Sequence, residues 1–203
     1  MPKPFPFALY LLIAPAILAG QTPSQAGATS LGGARTVAAT TVTHPPTIDG
    51  KLNDAAWGSA RPLSGFIQRE LREGDAVTER TEVRVLADGE ALYIGAWLFD
   101  REPGGIVPGE KVRDVTLDNS DSFSLILDTY LDRQNGFVFA TTPAGVEYDG
   151  QVVKEGEGGG ITVAGQNRQM SGSMGGFNLN WDGSWIVATS RDAEGWYAEF
   201  RIP

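Results

Sequence analysis

The sequence has no cysteine and one histidine, His44, and these two shortages exclude several kinds of chemistry. Without cysteine there is no thiol nucleophile, no disulfide framework and no thiolate-bound zinc or iron–sulfur centre. One histidine cannot form a multi-histidine metal site and leaves little basis for histidine-dependent catalysis. Basic residues are also few, since 16 Lys and Arg stand against 25 Asp and Glu. A nucleic-acid-binding protein presents a basic face, so we expect no nucleic-acid partner.

Residues 1–28 have the layout of a secretory signal peptide. Lys3 gives a positive start, an apolar stretch begins at Phe5, and small residues follow as far as Ala28. The apolar stretch is about 15 residues long, which is short for a membrane span. An uncleaved anchor is the alternative. We expect a protein that is exported to the periplasm, the outer membrane or the outside of the cell, with residues 29–35 as a flexible leader.

Short alternating segments separated by turn residues predict an all-β domain over residues 36–203. Residues 91–100 are apolar on both faces, which is typical of a central strand, and residues 184–190 and 195–202 read as a final pair. A single helical turn is expected at residues 54–57. The pattern predicts an antiparallel β-sandwich, jelly-roll-like, of about nine or ten strands. Because the last strand runs directly into Pro203, we expect this domain to be truncated at its C-terminal end, as the front part of a longer protein.

Acidic residues between positions 114 and 132 are candidates for a metal site. Oxygen ligands close together in sequence suit Ca²⁺, and the candidate ligands are Asp114, Asp118 and Asp121. The spacing matches no EF-hand, and solvated loop acids are the alternative.

An enzyme is the least favoured function. Glycoside hydrolysis needs two carboxylates about 5–10 Å apart, whereas Asp121 and Asp128 lie at opposite ends of one predicted strand, about 23 Å apart.

Four segments, taken in order, resemble a carbohydrate-binding module of family 9. They read PTIDGKLNDAAW at 46–57, ALYIGAWLFD at 91–100, DSFSLILD at 121–128 and GWYAEFRIP at 195–203. Three further runs are similar to one subgroup of exported bacterial proteins, in which such a module precedes a C-terminal outer-membrane β-barrel: DTYLDR at 128–133, NGF at 135–137 and PAGV at 143–146. The resemblance implies a jelly-roll sandwich, placement outside the cytoplasm and glycan binding.

The sequence departs from the sugar-binding members of that family at the positions that hold the sugar. Those members clamp a terminal sugar between two tryptophans and anchor it with a carboxylate. Here the first clamp aligns with Asp118 and the anchor with Ser124, while the second clamp would fall beyond Pro203. The resemblance therefore leaves two functions open. One is a non-catalytic carbohydrate-binding module, and the other is a structural or interaction domain that caps a downstream barrel and has lost sugar binding.

For the first function the sequence offers four candidate sugar-binding residues. Trp181 and Trp185 are four residues apart, so in an extended strand they share a face, and sugar C–H groups stack well on indole rings. They follow a glycine-rich segment at residues 156–176, which we expect to be a binding loop or disordered. Packing of at least one of the two rings into the core is the alternative. Asp118 and Arg113 are the expected polar partners of the sugar.

Overall fold

The structure, a computed structural model, describes residues 37–70, 72–153 and 176–203. The predicted signal peptide, the leader and most of the glycine-rich segment lie outside the described residues. The described part contains one short α-helix, α1 (Ala55–Ser59), a 3-10 turn (Pro103–Gly105) and nine strands. The strands are β1 (Thr40–Thr41), β2 (Thr81–Ala87), β3 (Leu92–Phe99), β4 (Phe123–Leu127), β5 (Gly136–Thr141), β6 (Tyr148–Val152), β7 (Phe177–Asn178), β8 (Ile186–Arg191) and β9 (Gly195–Ile202).

The nine strands form two sheets, which confirms the predicted β-sandwich. The five-stranded sheet has the order β1-β2-β3-β9-β8, and the four-stranded sheet has the order β4-β5-β6-β7. Every pairing is antiparallel except that of β1 with β2, which is parallel. Strand β3 lies at the centre of its sheet, as its apolar residues on both faces predicted. In the described part of the chain, no helix has the length and apolar character needed to cross a membrane.

The main core lies between the two sheets. Phe200 of β9 and Phe139 of β5 are both buried there, and the Trp185 ring stacks on Phe200 with a centroid distance of 5.6 Å. Other buried members of this cluster come from β2, β3 and β9: Val83, Ile94, Ala96, Trp196, Ala198 and Ile202. Burial of apolar surface contributes roughly 25 cal/mol per Å², so this interface holds the two sheets together.

A second, smaller core lies on the outer face of the five-stranded sheet, under the segment that contains α1. Leu52 and Trp57 pack there because Gly95, in the middle of β3, has no side chain. A Cβ atom at Gly95 would lie 2.7 Å from Leu52 Cδ2 and 3.1 Å from Trp57 Cζ3. The sequence around Gly95 therefore makes room for the covering segment.

One buried carboxylate fixes this covering segment to the sheet. Glu199 of β9 is fully buried. Its Oε2 accepts hydrogen bonds from the backbone N–H groups of Asp49 (2.9 Å) and Gly50 (2.7 Å). Its Oε1 accepts from the N–H of Leu52 (3.2 Å) and the indole N–H of Trp57 (3.0 Å). The segments PTIDGKLNDAAW and GWYAEFRIP, far apart in sequence, thus meet at one hydrogen-bonded anchor, which we call the Glu199 anchor.

Candidate functional site

The structure separates the two tryptophans that the sequence predicted to share an exposed face. Trp185 is only 5% exposed, and its ring meets Phe139 edge-on at 5.3 Å in addition to stacking on Phe200. The prediction of an exposed aromatic pair is therefore wrong for Trp185. The reason is local, since β8 begins only at Ile186 and the alternation of faces holds only within an extended strand.

Trp181 lies at the edge of the main core and is half-buried. Its ring packs against Phe137, with a centroid distance of 4.5 Å and an interplanar angle of 34°, and meets Phe139 edge-on at 5.9 Å. The aromatic residues of β5 therefore fix the orientation of Trp181. Part of its surface remains accessible beside a group of charged side chains.

That group is centred on Arg113, and we call it the Arg113 cluster. The guanidinium contacts four carboxylates, those of Asp114 (3.5 Å), Glu147 (2.5 Å), Asp149 (2.8 Å) and Asp182. One positive and four negative charges leave a net charge of −3. The side chain of Asp149 is 1% exposed whereas that of Asp182 is 75% exposed, so the cluster extends from the protein interior to the solvent.

The cluster joins three parts of the chain and adjoins Trp181. Arg113 belongs to the segment before β4, Asp149 belongs to β6, and Asp182 precedes β8. The second oxygen of Asp149 accepts a hydrogen bond from the Gly183 backbone N–H at 2.6 Å. A Cβ atom at Gly183 would lie 2.8 Å from Trp181 Cη2 and 3.2 Å from Asp149 Oδ2, so Gly183 fits between the indole and the carboxylate.

The electrostatics of the cluster follow from its burial and its excess of acids. Burial raises the pKa of Asp114, and the nearby Asp149 charge adds to this effect while Arg113 opposes it. Burial also raises the pKa of Tyr148, with the charges of Asp114 and Asp118 adding to the effect. Asp118 is exposed and lies on the same negative side of the domain, although it makes no ion pair with Arg113.

The structure does not bring the three predicted calcium ligands together. The carboxylate of Asp121 accepts a hydrogen bond from the Val107 backbone N–H at 2.7 Å, and that of Asp114 faces Arg113. Within residues 37–70, 72–153 and 176–203, no three acidic or histidine side chains are grouped so that they could hold a metal ion. The carboxylates of Asp114 and Asp121 are thus directed to different partners, and the described residues give no support to a metal site made of Asp114, Asp118 and Asp121.

Sequence reasoning identified Arg113 and Trp181 but missed the acids that connect them. Asp149 was the easiest to find, because it takes an inward-facing position on a strand, directly opposite Phe139. A charged residue in such a position requires a buried partner. Asp182 and Glu147 gave no comparable signal, since exposed acids are common in this sequence.

Comparison with known proteins gives one related fold. No protein-family model matches the chain, and no curated protein does. The structure is similar to a solved carbohydrate-binding module of family 9 from Caldicellulosiruptor kristjanssonii, in complex with cellotriose, with a TM-score of 0.48 and 17% sequence identity. The chain is similar to that module in fold. The match covers 80% of this chain and 65% of the length of that structure.

Proposed function

We propose that this protein binds carbohydrate without modifying it, at the exposed side of the Arg113 cluster next to Trp181. The observation that carries the proposal is the arrangement of carboxylates around one guanidinium. Glu147 and Asp182 each give one oxygen to Arg113, and the second oxygen of each has no hydrogen bond to any described residue. These oxygens are accessible acceptors for sugar hydroxyl groups, and Trp181 provides an aromatic surface beside them.

The cluster is already ordered before any ligand arrives. Arg113 is held by the buried Asp149, so a sugar would not have to immobilise these side chains on binding. Hydrogen bonds from hydroxyl groups to ionised carboxylates are stronger than those between neutral groups. The net charge of −3 disfavours acidic sugars, so we expect neutral sugars or amino sugars, with dissociation constants of about 1 mM.

The test is calorimetric titration of the purified chain with cellotriose, xylotriose and glucose. Asp182→Asn removes one charged acceptor, and we expect it to weaken binding about tenfold, since a hydrogen bond to a charged group contributes roughly 1.5 kcal/mol or more. Asp75→Asn, an exposed acid outside the cluster, is the matched control and should leave affinity unchanged. If the folded chain gives no heat with any sugar, or Asp182→Asn binds like the parent chain, the proposal fails. Release of reducing ends would contradict its non-catalytic part.

The alternative is an interaction domain of an exported envelope protein, seated against the downstream barrel that the resemblance implies. One observation favours it. Ser124 and Ile126 both point outward on β4, and Ile126 is 57% exposed. A hydroxyl and an apolar side chain therefore occupy the surface where, by the resemblance, the sugar-binding members carry the carboxylate that holds the sugar. A folded chain without sugar affinity would favour this function.

Export itself is tested by N-terminal sequencing of the protein recovered from the periplasm, which should begin between residues 20 and 29.

A further inference from the structure

A groove on the outer face of the five-stranded sheet is separate from the Arg113 cluster, which adjoins the four-stranded sheet. The groove has a volume of about 480 Å³ and lies between the segment held by the Glu199 anchor and the turn that joins β8 to β9. The side chains that line it and matter here are Lys51, Arg80, Trp97, Asp192, Glu194 and Tyr197. Its volume is within the range of about 300–1,000 Å³ that is typical of small-molecule sites.

The floor of the groove is aromatic and rigid. Trp97 of β3 and Tyr197 of β9 are direct partners across the two strands, so their side chains stand next to each other on the same face. The buried Trp57 ring meets Trp97 edge-on, with centroids 6.1 Å apart and an angle of 88°. The guanidinium of Arg84 lies over the Trp97 ring, 5.1 Å from its centroid, and Trp97 is partly buried, so part of the indole borders the groove.

The rim of the groove carries polar groups with unused hydrogen-bonding capacity. Tyr197 donates its hydroxyl hydrogen to Asp192 at 2.9 Å, which fixes both side chains. The Arg80 guanidinium lies over the Phe99 ring, 3.6 Å from its centroid. Within the described residues, the Arg80 and Glu194 side chains make no ion pair. Exposed donors and exposed acceptors thus both border the aromatic floor.

The charges of the rim cancel. Among the residues that line the groove, two cations, Lys51 and Arg80, stand against two carboxylates, Asp192 and Glu194, and Lys51 also pairs with Asp49, which does not line the groove, at 3.4 Å. An ionic ligand of either sign would gain one pair of contacts and be repelled by the other. A purely apolar ligand would bury these polar groups without partners, which costs free energy. A neutral ligand with an apolar face and a rim of hydroxyl groups satisfies the floor and both halves of the rim.

We infer that the groove is a second sugar site, which takes a neutral pyranose with its C–H face on Trp97 and its hydroxyl groups bonded to Arg80 and Glu194. The inference rests on the proposed function only for the class of ligand. The groove residues are distinct from those of the Arg113 cluster, so either site can bind when the other is destroyed. A chain with both sites would contact two sugar units at once, which increases its apparent affinity for a polysaccharide.

The experiment is a titration of the isotope-labelled chain with cellotriose, followed through the indole N–H signals of Trp97 and Trp181. Trp97→Phe and Trp181→Phe assign the two signals. We expect both signals to shift and a calorimetric stoichiometry of two sugars per chain. Arg80→Gln and Glu194→Gln should each weaken the Trp97 response about tenfold or more, because each removes hydrogen bonds to a charged group. Neither should change the Trp181 response.

The matched control is Arg101→Gln, an exposed arginine just after β3 that pairs with Glu79 outside the groove. It should leave both responses unchanged. A Trp181 signal that shifts while the Trp97 signal stays fixed would overturn the groove and leave the proposed function standing. The reverse result would overturn the Arg113 site and support the groove, whereas two fixed signals on a folded chain would overturn both.

Discussion

The strongest prediction about stability concerns the Glu199 anchor, because one side chain accepts hydrogen bonds from four donors. In Glu199→Gln one carboxylate oxygen becomes an amide NH₂ group of almost the same shape. Whichever oxygen is replaced, two N–H donors then face another donor, since Oε2 serves Asp49 and Gly50 while Oε1 serves Leu52 and Trp57. The substitution therefore breaks two hydrogen bonds without creating a cavity.

The expected size follows from the burial of these donors. A buried donor left without an acceptor costs roughly 1–3 kcal/mol, so two of them cost about 4 kcal/mol. The neutral amide is less expensive to bury than the carboxylate, which offsets part of this loss. About 4 kcal/mol is a large fraction of the roughly 5–15 kcal/mol that stabilises a typical domain. At about 2–4 °C per kcal/mol for a chain of this size, the melting temperature should fall by about 8–16 °C.

The assay is urea denaturation of the purified chain, followed by tryptophan fluorescence and by circular dichroism. Glu90→Gln, an exposed glutamate in the hairpin turn before β3, is the matched control and should change the free energy of unfolding by less than about 0.5 kcal/mol. A Glu199→Gln variant within about 1 kcal/mol of the parent chain would refute the reasoning. It would mean that the cost of burying the charge cancels the strength of its hydrogen bonds.

Three further predictions concern other parts of the domain. Gly95→Ala should destabilise it by roughly 1–3 kcal/mol through overpacking, whereas Gly89→Ala, with open space around it, should change little in the same denaturation assay. Burial and then a hydrogen bond to a carboxylate raise the pKa of Tyr197 to about 12. Its contribution to stability should be complete below about pH 10, the unfolded value, and be lost as the pH rises through 12, as seen by phenolate absorbance and unfolding. Arg113→Leu leaves a buried carboxylate unpaired and should cost about 3 kcal/mol, whereas Arg101→Leu, which breaks an exposed pair, should cost less than about 1 kcal/mol by thermal denaturation.

Much of the fold could be predicted from the sequence because strand burial is a local property. Residues 91–100 are apolar on both faces, and that alone placed β3 at the centre of its sheet. Pairings between distant segments were out of reach. The parallel pairing of β1 with β2 joins residues 40 and 41 to residues 86 and 87, and Ile67 forms an isolated bridge with Ala76.

The Glu199 anchor shows the same limit for individual residues. Both segments that form it were recognisable by resemblance. The structure shows that these two segments, about 150 positions apart in sequence, meet within hydrogen-bond distance. Backbone N–H groups of the first segment donate to the Glu199 carboxylate of the second. Glu199 is therefore a structural acid, which holds the segment that carries Lys51 in place beside the groove.

The tryptophans show why the candidate binding surfaces were harder to predict than the fold. Trp185 was a candidate for an exposed site because it follows a glycine-rich segment. The structure buries Trp185 between the sheets, whereas Trp97 is partly buried, packs against the second core and borders the groove. Alternation along β3 determines which face Trp97 occupies, but not how much of that face is covered. The segment around α1 packs over Gly95, two residues before Trp97, so the covering of this face depends on a contact between distant parts of the chain.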